Sequence, residues 1–518
     1  MPYVPAPHLT ASWHTSKPAA RGPRGVVVSQ ARPASEAGLA MLEAGGSAVD
    51  AAIAAAFALA AVEPWNSGLG GIGFAIVHPA GEAVAEVVDF GPVSPARLDP
   101  AAFRLTGRPG ADLFGWPEVE GDANVHGPLS FCVPSAVAGY HAMHARWGRL
   151  PIAEVLAPAL ALARRGLPYD WYAMAKVTQA AATLRQYPET QRIYVPGGLP
   201  RPVTNPAGFV ALGQLADTLE WLARAGLADF YAGDIGQRIA SDVSARGGVL
   251  SGADLRSYRV GMGPAAEWSW RGRVLQLATG QTAAPALAAV LAEMEAVPVS
   301  VPVSGGERPD AAWYVALARA LRRAQAARLG ADGSTSHVSV CDAQGGMVAL
   351  TTTLLSAFGS RVVLPATGVL MNNGVMWFDP RPGRANSVAP GARPLTNMCP
   401  LILRADDEPV LALGASGGRR ILAAVAQMFA YVTEFGIDPE AAAAMPRIDV
   451  SATGAITADR RLSPDVLAAL RAEGPLEVVE AVALPDAFAA PNMVWRAGKE
   501  WVGVADAVSP WSTALAQA

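Results

Sequence analysis

Apolar residues recur at helical spacing over much of the first part of the chain, whereas strand-like alternation dominates after residue 334. Helices are predicted at 34–44, 48–62, 133–166 (broken near Gly148 and Pro151), 208–245, 283–294 and 311–329. Short strands are predicted at 25–29 and 74–77, and the later strands at 337–340, 347–354, 362–371, 401–404 and 410–413. A long helix follows at 419–435, and residues 1–24 are predicted to form an arm.

The helix at 48–62 has a clear start signal and is followed by a glycine-rich segment. Ser47 is the predicted N-cap, with Asp50 as its capping-box partner. Residues 68–73 then match GxGxxG, but a dinucleotide site needs a strand before these glycines and a helix after them. Here the order is reversed, so we expect close backbone packing where the next strand begins.

Composition indicates a globular protein with a large core. Of 518 residues, 51% are hydrophobic and 16% charged, which excludes a disordered chain. The length suits about three domains or one large two-subunit fold. The net charge of -4 gives no electrostatic basis for nucleic-acid binding. Cys132, Cys341 and Cys399 form no CxxC pair, and we expect buried free thiols.

Residues 1–25 lack the apolar core of a secretory signal, and the apolar run 48–62 is too short to span a bilayer. We therefore expect a cytoplasmic protein with no membrane partner. His141 and His144 lie one helical turn apart, but no HExxH surrounds them and Arg146 is close. We expect no metal site and no cofactor.

Residues 414–418 match the nucleophile-elbow motif GxSxG between a predicted strand and a predicted helix. The corresponding hydrolase triad needs a histidine later in the chain, and none follows His337. A Ser-His-Asp triad is therefore excluded. Gly417 and Gly418 at a helix N-terminus nevertheless leave backbone N–H groups free for an anion, as an oxyanion hole requires.

Thr335 stands where the helical pattern gives way to a predicted hairpin. The second strand of that hairpin carries three consecutive threonines, 351–353, with Thr351 and Thr353 on one face and Thr352 on the other. Because threonine favours strands, these residues alone do not separate a structural role from a catalytic one.

Together these segments resemble γ-glutamyltranspeptidases. The small-subunit motifs are TSHVSVCD at 335–342, TTT at 351–353, FG at 358–359, GVLMNN at 368–373, RPLTNMCP at 393–400 and GASGGRR at 414–420. The large-subunit motifs are ASEAG at 34–38, GGSAVDAA at 45–52, the glycine-rich 68–74, VPSAVAG at 133–139 and LAPA at 156–159. The resemblance weakens towards the C-terminus.

The resemblance implies a four-layer αββα sandwich of the N-terminal-nucleophile hydrolase type. It also implies self-cleavage between Ser334 and Thr335, giving a large subunit 1–334 and a small subunit 335–518 that stay associated. The freed amine of Thr335 then acts as general base to its own hydroxyl. Thr353 corresponds to the family threonine that orients the nucleophile, and Gly417 and Gly418 to the oxyanion-hole glycines.

The chain departs from the family where the γ-glutamyl group is bound. Gly91 stands in place of the arginine that grips the α-carboxylate, in the segment 91–95. The α-amine ligands are replaced by Leu355, Gly374 and Trp377, and the serine pair that helps to hold the carboxylate is replaced by Thr396 and Asn397. A zwitterionic head group buried against Leu and Trp would cost several kcal/mol, on the order of an unpaired buried charge.

The leading hypothesis is an amide hydrolase for a non-γ-glutamyl acyl group, as in the cephalosporin acylases and oxamate amidohydrolase of this family. Leu355, Met376 and Trp377 indicate an apolar acyl pocket, with Arg361 or Arg393 as candidates for binding an acidic group. The loop between Trp377 and Arg393 is shorter than the usual family lid.

Two alternatives stay open. One is an ordinary γ-glutamyltransferase or glutathione hydrolase. The other is an uncleaved pseudoenzyme or binding protein, because the segment between Leu329 and Thr335 is much shorter than in the family.

Overall fold

Two seven-stranded sheets form the centre of the molecule. The computed structural model describes residues 16–110, 114–297, 308–327, 334–451, 454–484 and 486–518. The strands of this part of the chain are β1 Ala20–Gly22, β2 Gly25–Ser29, β3 Ile72–His78, β4 Glu86–Phe90, β5 Leu105–Pro109, β6 Pro117–Val119, β7 Leu167–Tyr169, β8 Gly208–Val210, β9 Gly261–Pro264, β10 Ala266–Trp270, β11 Arg273–Leu277, β12 Ser334–Cys341, β13 Met347–Leu355, β14 Leu401–Ala405, β15 Glu408–Ser416, β16 Ile448–Asp449, β17 Ile456–Asp459, β18 Leu476–Val479, β19 Ala490–Ala497, β20 Glu500–Ala505 and β21 Thr513–Gln517.

The helices of the described part of the chain cover the outer faces of these sheets. They are α1 Arg32–Glu43, α2 Ala48–Val62, α3 Ala136–Trp147, α4 Ile152–Arg165, α5 Trp171–Leu184, α6 Pro188–Tyr194, α7 Leu215–Ala225, α8 Asp229–Ala232, α9 Asp234–Ala245, α10 Gly252–Ser257, α11 Ala284–Glu295, α12 Ala311–Ala327, α13 Arg420–Thr433, α14 Pro439–Ala444 and α15 Pro464–Ala472.

Both large sheets are antiparallel and combine strands from distant parts of the chain. Sheet I has the order β21-β2-β12-β13-β3-β4-β9, and sheet II has the order β1-β20-β19-β15-β14-β11-β10. The strand β12, which begins at Ser334, pairs with β2 on one side and β13 on the other. It is therefore an interior strand of sheet I.

Side chains alternate between the two faces of each strand, so each large sheet packs against the other sheet on one face and against helices on the other, which gives four layers. Val348 and Leu350 of β13 pack in the core that sheet I shares with the helices α1–α5. Met347 and Ala349 face the other way and pack with Ile402 and other residues of sheet II. Sheet II has its own core with α11–α15. The expected αββα sandwich is confirmed.

The helix α2 is buried along its whole length, as its alanine-rich sequence requires. All fifteen of its residues are buried. Its predicted capping box is present: the Ser47 amide donates to Asp50 Oδ2 at 2.8 Å, and the Asp50 amide donates to Ser47 Oγ at 3.2 Å. A cap of this kind stabilises a helix by about 1 kcal/mol.

The glycine-rich segment 68–73 packs closely against neighbouring backbone, as expected. A Cβ added at Gly70 would lie 2.1 Å from the Leu370 carbonyl oxygen, and one at Gly73 would lie 2.3 Å from the Thr351 carbonyl oxygen. These positions accept no side chain. The segment joins α2 to β3, so its order of elements is the reverse of a dinucleotide site.

Three predicted elements are wrong in detail. The stretch 208–245 is not one helix but β8, α7, α8 and α9, because Gly213 and Gly226 adopt positive φ and interrupt it. The stretch 362–371 contains isolated bridges, including Val363 to Leu370, rather than a strand. Part of the predicted arm, Ala20–Gly22, is strand β1.

Other expectations fall partly outside the described residues: the arm at 1–15, the last two residues of the predicted helix 311–329, and the segment 328–333 before the predicted cleavage site. Cys132, Cys341 and Cys399 are buried free thiols, as expected. In the described part of the chain, no helix combines the length and apolarity needed to cross a membrane.

The glycine packing gives a matched pair of variants. We expect Gly70→Ala to lower the free energy of unfolding by at least about 2 kcal/mol, because the new methyl group overpacks against backbone. At Gly68 the nearest atom to an added Cβ is 3.8 Å away, so Gly68→Ala is expected to change stability by less than about 1 kcal/mol. Denaturant unfolding measures both, and equal effects would contradict this account of the segment.

Candidate active site

Thr335 lies in an irregularity of the β12–β13 ladder. Ser334 pairs with Leu355 and Ser336 pairs with Thr352, so one residue of β12 lies opposite two residues of β13. Thr335 is buried, with 3% of its surface exposed. The structure thus places the predicted nucleophile at the beginning of an interior strand, opposite Thr353 and Leu354 of β13.

The three threonines of β13 point as the alternation predicted. Thr351 Oγ1 lies 2.8 Å from His337 Nδ1, between the sheets, whereas Thr352 Oγ1 accepts a hydrogen bond of 2.9 Å from Tyr140 on the helix side. Thr353 Oγ1 accepts one of 2.8 Å from the Leu355 amide. Thr353 therefore shares its face with Thr351 and braces the end of β13.

The end of β13 contains an uncommon backbone conformation. Leu355 has φ of +87°, which a non-glycine residue adopts at a cost of roughly 1–3 kcal/mol. Its side chain is fully buried. Such strain persists only where the surroundings impose it, and here it lies beside Thr335.

Sheet II approaches Thr335 through the turn between β15 and α13. Ser416 Oγ donates a hydrogen bond to the Thr335 carbonyl oxygen. Gly417 and Gly418 follow with φ of +136° and +65°, and a Cβ at Gly417 would lie 2.7 Å from Ala489 Cα. The pair precedes a fourteen-residue helix whose N-terminal amides favour negative charge.

His337 is buried between the sheets and is not placed to act as a base. Its ring is so close to Gly414 that an added Cβ there would lie 2.3 Å from it. Burial lowers the pKa of His337 to about 3, so the ring is neutral at neutral pH. Its Nε2 lies 3.1 Å from Ser339 Oγ. Excluding a serine–histidine triad thus agrees with the geometry as well as with the residue inventory.

A buried carboxyl group lies next to the residue that follows Thr335. Ser336 Oγ donates to Glu63 Oε2 at 2.6 Å, and Asn66 Nδ2 donates to Glu63 Oε1 at 2.7 Å. Burial raises the pKa of Glu63 to about 7, although these hydrogen bonds and the charge of Lys176 oppose the shift. Glu63 therefore joins the C-terminal end of α2 to the first residues of β12.

A cavity of about 330 Å³ opens beside this group. It is bounded by Ser416 and Gly417 on one side and by Glu63 on another. Lys176 and Arg420 also line it, so cationic side chains reach the surroundings of the predicted oxyanion glycines.

An apolar cluster lies on the other side, where β13 ends. It contains Leu355, Met376 and Trp377, packed with the aromatic and aliphatic side chains of Ile72, Phe74, Phe114, Trp116 and Met398. In the described part of the chain, Trp377 Nε1 and Asn397 Nδ2 are buried without a hydrogen-bond partner. Buried donors without a protein acceptor are rare and are often satisfied by a bound molecule.

Sequence comparisons place this geometry in a family. The profile described as gamma-glutamyltranspeptidase matches residues 34–331 and 322–515. The chain belongs to the gamma-glutamyltranspeptidase family. It is 30% identical to an Acylase ACY 1 proenzyme of Pseudomonas sp. (strain V22), over 91% of this chain and 90% of that protein. It is 27% identical to the glutathione hydrolase proenzyme of Bacillus subtilis (strain 168), over 88% of this chain and 85% of that protein.

The fold is shared with a cephalosporin acylase from Bacillus halodurans. Its crystal structure superimposes with a TM-score of 0.83 at 22% identity, over 98% of this chain and 99% of that one. At this identity the likeness concerns the fold. As a member of the gamma-glutamyltranspeptidase family, the chain is an enzyme of the hydrolase and transferase type, which confirms the prediction from the sequence.

Gly91, which stands at the position of the family arginine, has the side chains of two other residues directly in front of it. A Cβ at Gly91 would lie 2.5 Å from Phe74 Cζ and 2.9 Å from Arg393 Nη2. The Arg393 guanidinium, which pairs with Asp89, thus fills the space in front of Gly91. An arginine side chain at position 91 would collide with both neighbours.

The remaining predicted residues mostly support the loops around the apolar cluster. A Cβ at Gly374 would lie 2.8 Å from Cys132 Sγ, and the Thr396 amide donates to the Gln281 carbonyl at 2.6 Å. Arg361 Nη1 donates to Ser356 Oγ at 2.6 Å, so this arginine is held by the protein itself. The short loop after Trp377 is closed by Asn386, whose Nδ2 donates to the Trp377 carbonyl at 2.7 Å.

The histidine pair considered as a metal site has other contacts. His144 Nε2 lies 2.8 Å from the Leu150 carbonyl oxygen. Within the described ranges, no three potential metal ligands come together.

Sequence reasoning missed the polar surroundings of β12. The sequence predicts no role for Glu63 or Asn66, and it singles out Ser416 only as the serine of the GxSxG motif. Glu63 did carry a signal, because an acid at the C-terminal end of a helix is opposed by the helix dipole. Lys176 carried none, since its contacts come from tertiary folding.

The raised pKa of Glu63 predicts a pH-dependent stability. The folded protein favours the protonated carboxyl, so this contribution is full below about pH 4.5 and is lost as the pH rises through 7. A pKa shift of this size corresponds to a change in the free energy of unfolding on the order of 3 kcal/mol. Unfolding measured from pH 5 to pH 8 should therefore show a shallower decline in Glu63→Gln than in the unchanged protein.

Burial also raises the pKa of Glu434 to about 7, and its titration falls in the same pH range. Because Glu434 is present in both proteins, the difference between the two curves isolates Glu63. Parallel curves would show that the Glu63 carboxyl is not held in its protonated form by folding.

Proposed function

We propose that this chain is a self-processing N-terminal threonine amidohydrolase that forms an acyl-enzyme on Thr335 and prefers a non-γ-glutamyl acyl group. The observation that carries this proposal is the position of Thr335: buried at the beginning of β12, opposite Thr353, with the Ser416–Gly418 turn of sheet II beside it. The relatives named as proenzymes support the processing step.

In processing, Thr335 Oγ1 attacks the carbonyl carbon of Ser334, and the peptide C–N bond breaks as the amine takes up a proton. The resulting ester is hydrolysed by water, which leaves a carboxylate on Ser334 and a free amine on Thr335. The strained Leu355, paired with Ser334, lies beside this bond. Strain released on cleavage would favour the reaction.

In turnover, the free amine of Thr335 accepts the proton of its own hydroxyl as Oγ1 attacks the substrate amide. The Gly417 and Gly418 amides donate to the developing oxyanion, where the N-terminal dipole of α13 adds to their effect. The leaving amine takes the proton, and water then hydrolyses the acyl-enzyme by the reverse path. Thr353 holds the nucleophile in position.

The cleaved halves are expected to remain one molecule, because each large sheet draws strands from both. In sheet I, β12, β13 and β21 come from residues after 334, and the other four strands come from residues before it. Sheet II is mixed in the same way, with β1, β10 and β11 from the first part. Separating the halves would expose the edges and faces of both sheets.

The acyl preference rests on the apolar cluster around Leu355 and Trp377. No arginine occupies position 91, and the space in front of it is filled by Arg393, which is paired with Asp89. The unpartnered Trp377 Nε1 and Asn397 Nδ2 suit an acyl group with an apolar body and a hydrogen-bond acceptor. The similarity to the Pseudomonas acylase supports this preference.

Processing is tested by replacing the nucleophile. We expect Thr335→Ala to remain one chain on a denaturing gel, because no hydroxyl is available to attack Ser334. Thr335→Ser should separate into 1–334 and 335–518, since it keeps that hydroxyl. Thr352→Ala is the matched control on the helix-facing side of β13 and should still be processed. Cleavage of Thr335→Ala at this bond would refute the mechanism.

Specificity is tested with amides that share one leaving group. We expect the processed enzyme to show at least about tenfold lower kcat/KM for γ-glutamyl-4-nitroanilide than for the glutaryl or oxamyl compound. The reason is that the charged α-amine of the γ-glutamyl group has no partner here. A loss of about 1.4 kcal/mol in binding is enough for a tenfold effect. Release of 4-nitroaniline is followed by absorbance. Fastest turnover of the γ-glutamyl compound would instead favour a glutathione hydrolase.

A further inference from the structure

The cavity beside Ser416 and Gly417 is separate from the apolar cluster. The cluster is built on the end of β13 and contains Leu355 and Trp377. The cavity lies against sheet II and the helices α5 and α13, and its walls include Lys176 and Arg420. The cavity and the packed cluster therefore have no residue in common.

The charged groups of the cavity do not cancel at neutral pH. Arg447 and Asp506 form a buried pair at 2.7 Å and neutralise each other. Lys176 Nζ donates to Asp486 Oδ2 at 2.6 Å, whereas Arg420 Nη1 donates to the Asp486 backbone carbonyl, so only Lys176 of the two contacts that carboxylate.

The other acid of the cavity is Glu63, whose pKa burial raises to about 7, so part of its population is uncharged at neutral pH. The cavity is thus lined by three cations (Lys176, Arg420 and Arg447) and three acids (Glu63, Asp486 and Asp506), and the cations outnumber the charged acids to the extent that Glu63 is protonated.

Lys176 is well shielded, whereas its partner is not. Only 11% of the Lys176 side chain is exposed, against 44% of the Asp486 side chain. Lys176 also lies 5.1 Å from the centre of the Tyr172 ring, which fixes its position further. A fixed, shielded cation whose anionic partner is on an exposed segment is a suitable receptor for a carboxylate from outside.

We propose that this cavity binds a carboxylate on the amine half of the substrate amide, through Lys176 and Arg420. The assignment rests on the proposed function, because it takes Gly417 as an oxyanion donor. A carbonyl carbon held with its oxygen at Gly417 has its acyl chain on one side and its nitrogen on the other. With the acyl chain in the cluster at Leu355 and Trp377, the nitrogen substituent enters the cavity.

A binding measurement tests the cavity without catalysis. The probe is 5-amino-2-nitrobenzoate, a carboxylated aromatic amine, compared with 4-nitroaniline, and the protein is the uncleaved Thr335→Ala chain. Calorimetric titration should show at least about tenfold tighter binding of the carboxylated amine. Adding Lys176→Met should remove that preference, whereas Lys499→Met, at an exposed lysine between β19 and β20, should leave it unchanged.

Equal binding of the two amines, no binding of either, or a preference that survives Lys176→Met would overturn the proposal. Arg420→Gln provides a second variant, at the partly exposed first residue of α13, if Lys176→Met does not fold. It should also weaken the preference, and an unchanged preference in this variant would equally count against the proposal.

A kinetic comparison separates this proposal from the proposed function. With processed enzyme and one acyl group, the substrates are glutaryl-4-nitroanilide and glutaryl-3-carboxy-4-nitroanilide. Lys176→Met should raise KM for the carboxylated substrate about tenfold relative to the plain one, with kcat affected far less. Equal changes for both substrates would indicate a purely structural lysine. If the unchanged enzyme turned over neither substrate, that result would count against the proposed acyl specificity. The binding measurement would still decide whether the cavity binds the carboxylate.

Discussion

The hydrogen bond from Ser416 to the Thr335 carbonyl ties the beginning of β12 to sheet II, and the rest of the site depends on this tie. Sheet I alone would fix the strand through its ladder with β13, but that ladder is irregular at Thr335. The contact with sheet II supplies the missing constraint. It also brings the Gly417–Gly418 turn to Thr335, the proposed nucleophile.

Small residues make this approach of two sheets possible. Gly414 leaves room for the His337 ring, and Gly417 leaves room for the backbone at Ala489. On the helix side, the alanines of α2 allow that helix to lie close to sheet I and to deliver Glu63 to Ser336. The site is therefore held by contacts from a helix and from both sheets, which suits a group that must stay in place when the bond before it is broken.

Much of the fold could be predicted because local patterns agree with the tertiary structure. The strand at 25–29, the capping box at Ser47 and the hairpin from β12 to β13 follow from alternation, capping chemistry and turn residues. The division of 208–245 could not be predicted, because helical spacing continues across the glycines that interrupt it. The final strands β19 to β21 were also missed. The strands β19 and β20 form a local hairpin, whereas β19 also pairs with β15, and β21 pairs with β2 near the other end of the chain.

The candidate site divides in the same way. Motif order singled out Thr335, Thr353 and the glycine pair as candidates, and the positive φ angles of Gly417 and Gly418 account for the glycines at those two positions. The contacts of Glu63, Lys176 and Arg393 depend on chain segments that are brought together by folding, so no local sequence pattern predicts these contacts. The sequence shows that Gly91 replaces the family arginine, but only the structure shows that the Arg393 side chain fills the space in front of Gly91.

The account is tested most directly by mass spectrometry of protein that is turning over its best amide substrate. A fragment beginning with Thr335 is predicted, and during turnover its first residue should carry the mass of the acyl group, which disappears when substrate is exhausted. An active preparation in which Ser334 and Thr335 are still joined, or an acyl group attached elsewhere, would contradict the account.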